Sequence, residues 1–113
     1  MQPQVAAWQV WHAYLTYEQD PSQGKRRPVV VYEVQADMCT VALYVTSKRR
    51  QWEQHPRKYV PIRDWEQTGL ACESFIRVSR PFTIPIRELE GYAGMLSDYD
   101  QLSVQLAFSR MGL

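Results

Sequence analysis

Two apolar runs with a three-residue break between them set the strongest limit on what this chain can fold into. "RPVVVYEV" (27–34) and "MCTVALYVTS" (38–47) are dense in β-branched residues, and "QAD" (35–37) between them reads as a tight turn. Such a pair predicts an antiparallel hairpin, 29–34 against 38–44. The second run stays apolar with little polar alternation, the mark of a strand covered on both faces. Pro28 has no N–H to give a ladder, so it is expected at the first position of its strand or on an edge.

The other segments fit around that hairpin. "VWHAYLTYE" (10–18) predicts a strand with one mostly buried face, and "DPSQG" (20–24) a loop. "KRRQWEQHPRK" (48–58) is polar and basic and reads as a flexible excursion. "YVPI" (59–62) predicts a short strand, and "RDWEQTGL" (63–70) a single helical turn closed by Gly69. "SFIRVSRPFTIP" (74–85) alternates polar and apolar residues, placing Arg77 and Ser79 on one face. "IRELEGYAG" (86–94) predicts a short helix ended by glycine. "SDYDQLSVQLAFSRM" (97–111) predicts a longer one, with Ser97 as N-cap, Asp98 and Asp100 in the first turn and Arg110 in the last. Its apolar stripe runs through Tyr99, Leu102, Leu106 and Ser109, broadened by Val104, Phe108 and Met111. Five or so short strands with terminal helices predict a mainly β chain folded as a small, partly open β-barrel.

The length of 113 residues suits one domain over 1–113. No apolar run approaches the ~20 residues of a membrane span, and "MQPQVAAWQVWH" has no basic leader or continuous apolar core. A cytosolic protein is therefore expected, with Cys39 and Cys72 as reduced small hydrophobes. Neither cysteine has a second ligand at zinc spacing, His12 and His55 stand apart from any metal motif, and no phosphate-binding glycine loop is present. No cofactor is expected.

Net charge is +1, yet the charge is segregated. Residues 24–80 carry eleven Lys/Arg against six Asp/Glu, while the rest carries two against six. Basic loops are often mere solvated surface, but the hairpin adds geometry. The start of its first strand and the end of its second lie side by side, so Arg27 and "TSKRR" (46–50) should converge at one end of the sheet. Arginine's planar fork suits phosphate, since it donates to two oxygens at once.

These residues resemble the PemK/MazF-type toxins, the ribonuclease half of type II toxin–antitoxin pairs. "DPSQGKRRPVVV" is similar to the family's first motif, a loop leading into Arg-Pro and a β-branched strand. "VALYVTS" resembles the second, a strand ending in Thr-Ser. "GLACESFIRVSRPFTIPIRELEGYAGMLS" is similar to the third. Together they cover roughly residues 14–106. The resemblance implies an SH3-like barrel of the CcdB/MazF-like fold and a metal-independent endoribonuclease cutting single-stranded mRNA at short sequences. It implies attack by the RNA 2′-hydroxyl on the adjacent phosphorus, leaving a 2′,3′-cyclic phosphate.

By the same resemblance, Arg27 matches the catalytic arginine, Thr46 the catalytic hydroxyl, and Arg77 an arginine that serves as acid or charge stabiliser. Lys25, Arg26, Ser47, Lys48, Arg49, Arg50, Ser79 and Arg80 are the expected RNA contacts. A homodimer and a cognate antitoxin with an acidic tail are the expected partners. The chain departs from the family in carrying Ser79 where some members place an acid, and Ser22 and Gln23 where a Glu or His is common. Trp11 and His12 stand where Gly-Asp is usual, which makes His12 a candidate base to set against an ordinary packed histidine. Two rival readings remain: a non-catalytic module gripping single-stranded nucleic acid with Trp52, Tyr59 and Trp65, and a gyrase poison of the same fold.

Overall fold

The predicted hairpin is the centre of the sheet. The computed structural model describes residues 2–17, 19–36 and 38–112, and of Cys39 the backbone alone. Strand β2 (Gly24–Ala36) pairs antiparallel with β3 (Cys39–Thr46), with Val29, Val30 and Val31 opposite Tyr44, Leu43 and Ala42. On its other side β2 pairs with β1 (Gln9–Thr16). Beyond β3 come β5 (Phe75–Arg77) and β4 (Tyr59–Pro61), and beyond β1 lies β7 (Glu90–Met95). Strand β6 (Phe82–Pro85) pairs with the first half of β3. Helix α1 (Arg49–Gln54) follows β3, and α2 (Asp98–Arg110) ends the fold. The result is a mainly β, partly open barrel with a C-terminal helix. The turn at Asp37, the strand end at Glu18 and the burial of the Cys39 side chain lie outside the described residues.

Alternation along the strands explains why the hairpin is apolar on both faces. Val10, Val30, Leu43 and Val45 join one core, which α2 covers with Val104, Ala107 and Phe108. Trp11, Val29, Val31 and Ala42 face the opposite way into a second core with Ile84 and Leu89. Every other residue thus belongs to a different layer, and this sorting fixes which side chains can meet at the sheet's end.

Several expectations need correction. Residues 86–94 are not a helix: a single 3₁₀ turn (Ile86–Glu88) leads into β7. Two glycines within EGYAGM weaken a helix, and Gly91 sits at φ +59°, where a β-carbon would also run into the Arg26 guanidinium. Residues 48–58 are not a flexible excursion, because α1 forms there. Arg49 binds Glu73 at 2.6 Å, and the Trp52 ring stacks on Phe75 at 5.4 Å. Within the segment 74–85, β5 and β6 are separated by the irregular stretch 78–81. Cys72 is free but exposed, so it is no packed hydrophobe.

Pro28 lies inside β2, four residues past its start. The edge condition is nonetheless met locally, because over Gly24–Pro28 the strand pairs with β1 alone. On α2 the buried side is Asp100, Val104, Ala107 and Phe108, while Tyr99, Leu102 and Leu106 of the predicted stripe are half exposed. The predicted turn at 63–70 is present: Gly69 at φ +76° ends it, with Leu70 N–H reaching the Trp65 carbonyl.

One buried carboxylate ties α2 to the turn that follows β4. Asp100 is fully buried and accepts hydrogen bonds from the backbone N–H groups of Arg63 and Asp64, both at 2.9 Å. Ser97 caps the helix by accepting from Asp100 N–H, and its hydroxyl donates to Asp64 at 2.6 Å. The hydrogen bond from Arg63, helped by that from Ser97, holds the Asp64 carboxyl below its ordinary value. Replacing Asp100 by Ala strands two backbone donors and should lower the unfolding free energy by about 3 kcal/mol, with Asp100→Asn costing less. Urea denaturation followed by tryptophan fluorescence measures both.

Candidate active site

The end of the sheet opens where β2 and β3 part. Their ladder stops at Val29 and Tyr44. Continued by two residues, the same register sets Arg27 across from Thr46, on the face of Val29 and Tyr44. Past Tyr44, β3 turns its pairing to β5, with Thr46 opposite Phe75, and β5 in turn pairs with β4, with Arg77 opposite Tyr59. Paired residues share a face, so Arg27, Thr46, Arg77 and Tyr59 stand on one side of four neighbouring strands.

They line a single cleft of about 200 Å³, together with Tyr44, Lys48 and Gln51. Arg27 is half-buried, and among the described residues its guanidinium has no hydrogen-bond or ion-pair partner. The Thr46 hydroxyl accepts from the Lys48 backbone N–H at 3.2 Å, which fixes its oxygen at the strand end. Arg77 donates from Nε to the Ser79 hydroxyl at 3.3 Å. The Tyr59 hydroxyl donates to Gln51 Oε1 at 3.1 Å. Three cations thus line this cleft, and among its described lining residues there is no carboxylate or imidazole.

A second cleft of about 270 Å³ lies beside the first and shares Arg27 and Thr46 as its rim. Lys25, Arg26, Ser47 and His12 line it. Arg26 is held by Glu90 at 3.2 Å. His12 pairs with Pro28, one residue away from Arg27, so its ring stands on the opposite face of the sheet. Its Nδ1 lies 2.8 Å from the Gly91 carbonyl. One ring nitrogen is thus engaged by the backbone, and the ring borders the second cleft and not the first.

The remaining sequence candidates are spread around these clefts. Arg49 binds Glu53 and Glu73 and lies over the Trp52 ring at 5.2 Å. Arg50 and Arg80 are exposed and line neither cleft. Trp65 is partly buried and packs against the first core. Tyr59 was singled out by sequence only as a stacking aromatic. Its place beside Arg77 depends on pairing two three-residue strands, a signal that becomes readable only when "YVPI" is set against "SFIRV". Among the described residues, no group of three or more His, Cys, Asp or Glu is placed to hold a metal. Among the described residues, no helix is long and apolar enough to cross a membrane.

The family model of PemK-like, MazF-like toxins of type II toxin–antitoxin systems matches residues 6–111. The fold is similar to a solved structure described as an endoribonuclease in complex with its cognate antitoxin, from a mycobacterial species. The TM-score is 0.69 at 18% identity, covering 95% of this chain and 94% of that one. Among curated proteins, none matches the chain in sequence.

Inorganic phosphate titrated into labelled protein should shift the backbone amide signals of Arg27, Thr46 and Lys48 first. The shifts should weaken with added salt and vanish in Arg27→Ala. Shifts confined to α2 would place the anion site elsewhere.

Proposed function

The chain belongs to the PemK-like, MazF-like toxins of type II toxin–antitoxin systems, and from that premise we propose that it is a metal-independent endoribonuclease that cuts single-stranded mRNA at short sequences. The observation that carries the reading is that Arg27, Thr46 and Arg77 line one cleft at the end of the sheet.

Cleavage of this kind needs cations placed where the phosphorane oxygens gain negative charge. Arg27, with no competing partner among the described residues, is available to donate to two non-bridging oxygens. Thr46 adds a hydroxyl held at a fixed point, and Arg77 a second cation across the cleft. The 2′-hydroxyl attacks the phosphorus, the bond to the 5′ oxygen breaks, and a 2′,3′-cyclic phosphate remains. Lys25, Arg26 and Ser47 border the adjoining cleft, so the strand continues over the sheet's end, with Lys48, Arg49, Arg50, Ser79 and Arg80 as further backbone contacts.

The partners follow from the same surface. The neighbouring structure holds an antitoxin, and an acidic, partly disordered tail of a cognate antitoxin would cover the cations that RNA uses. For a homodimer, the exposed face of α2, where Tyr99, Leu102 and Leu106 are half exposed, is the surface a second copy would cover. The protein would act in the cytoplasm. A non-catalytic binding module is favoured by one feature, the lack of a carboxylate or imidazole among the described residues lining the cleft.

Labelled RNA incubated with the purified protein in EDTA separates the two. The ribonuclease reading expects fragments with 2′,3′-cyclic phosphate ends and a loss of about 100-fold or more in Arg27→Ala. Salt-sensitive binding without fragments supports the binding module. Cleavage unchanged in Arg27→Ala refutes the assignment of the site.

A further inference from the structure

If the cleft cuts RNA, something must give a proton to the departing 5′ oxygen. Arg27 and Arg77 are poor donors, because a guanidinium does not give up its proton in proteins. Thr46 is an alcohol, no more acidic than the oxygen it would serve. Lys48 is exposed, and its ammonium rides on a flexible stem. The Tyr44 ring is stacked on Phe82 at 4.2 Å and is held toward β6. One group is left.

We infer that Tyr59 is the general acid of the reaction. This rests on the ribonuclease reading above. Its side chain is nine-tenths buried, and its hydroxyl is held at 3.1 Å by Gln51 of α1, so the oxygen is placed with little freedom. Its cross-strand partner is Arg77, and it shares its face of the sheet with Arg27 and Thr46. Tyr59 also borders both this cleft and the next, a groove of about 310 Å³ toward α2. The charged groups lining the two are Arg27, Lys48 and Arg77 on one side and Arg63 and Arg110 on the other. Tyr44 and Tyr99 are the other phenols there. Negative charge arriving on the Tyr59 oxygen is therefore met by cations alone among the described lining residues.

The step balances without a cofactor. The 2′ oxygen loses its proton to solvent water and forms the bond to phosphorus. The bond from phosphorus to the 5′ oxygen breaks, and its electron pair stays on that oxygen, which takes the phenolic proton as the Tyr59 hydroxyl turns from Gln51 into the cleft. Solvent then returns a proton to the phenolate.

The test uses two substrates that differ in one atom: ordinary RNA, and the same RNA with sulfur replacing the 5′ bridging oxygen at the cleaved position. A thiolate departs without needing a proton, so an acid matters only for the oxygen substrate. Tyr59→Phe should slow cleavage of the oxygen substrate by about 100-fold and leave the sulfur substrate within about two-fold of wild type. Equal losses on both would make Tyr59 a structural residue, and no loss on the oxygen substrate would exclude it from the chemistry. Wild type cutting neither substrate removes the ribonuclease reading, and this inference with it. Should Tyr59→Phe fail to fold, 3-fluorotyrosine at position 59, a more acidic phenol, gives the second readout. The descending alkaline limb of the pH–rate profile should move to lower pH, and an unmoved limb overturns the assignment.

Discussion

Val29, Val30 and Val31 lie opposite Tyr44, Leu43 and Ala42, and this register decides what stands at the open end of the sheet. A slip of one residue would exchange the two faces, sending Arg27 to the side of His12 and Pro28. Such a slip is strongly opposed. Val30 and Leu43 fill one core while Val29, Val31 and Ala42 fill the other, so both faces of the hairpin carry shape-specific packing. The cores hold the register, and the register leads Arg27 and Thr46 into one cleft.

Around that point the charges are divided by their partners. Arg26 is engaged by Glu90 and Arg49 by Glu73, both at the surface. Exposed pairs of this kind contribute little stability, about 0–1 kcal/mol each. Their effect is on placement: they draw flanking cations to fixed positions outside the first cleft and leave Arg27, Lys48 and Arg77 as its charged lining. A chain of net charge +1 thereby presents a concentrated positive site. Helix α1 completes it by bringing Gln51 to the Tyr59 hydroxyl, while Trp52 on the same helix stacks on Phe75.

Much of this arrangement was legible in the sequence, for local reasons. The hairpin announced itself through β-branched runs and a short turn, and α2 through Ser97 and the acids of its first turn. The convergence of Arg27 with Thr46 followed from antiparallel geometry alone. What escaped depended on distant partners. Strand β7 read as a helix because its register comes from pairing with β1 and from Gly91 at positive φ, neither visible locally. The buried side of α2 was misjudged because Asp100, a polar residue, turns inward to bind the Arg63 and Asp64 backbone. Tyr59 gained its place from two strands of three residues each, too short to carry a periodic signal.

The proposed site requires that Arg27 and Thr46 act on one phosphate as a unit. A double-mutant cycle on single-turnover RNA cleavage tests it most directly, using Arg27→Ala, Thr46→Val and the pair together. If the two work on the same group, the double variant should be about as slow as the slower single one. Losses that multiply in full would mean that the two residues act independently, and the site built from their register would not stand.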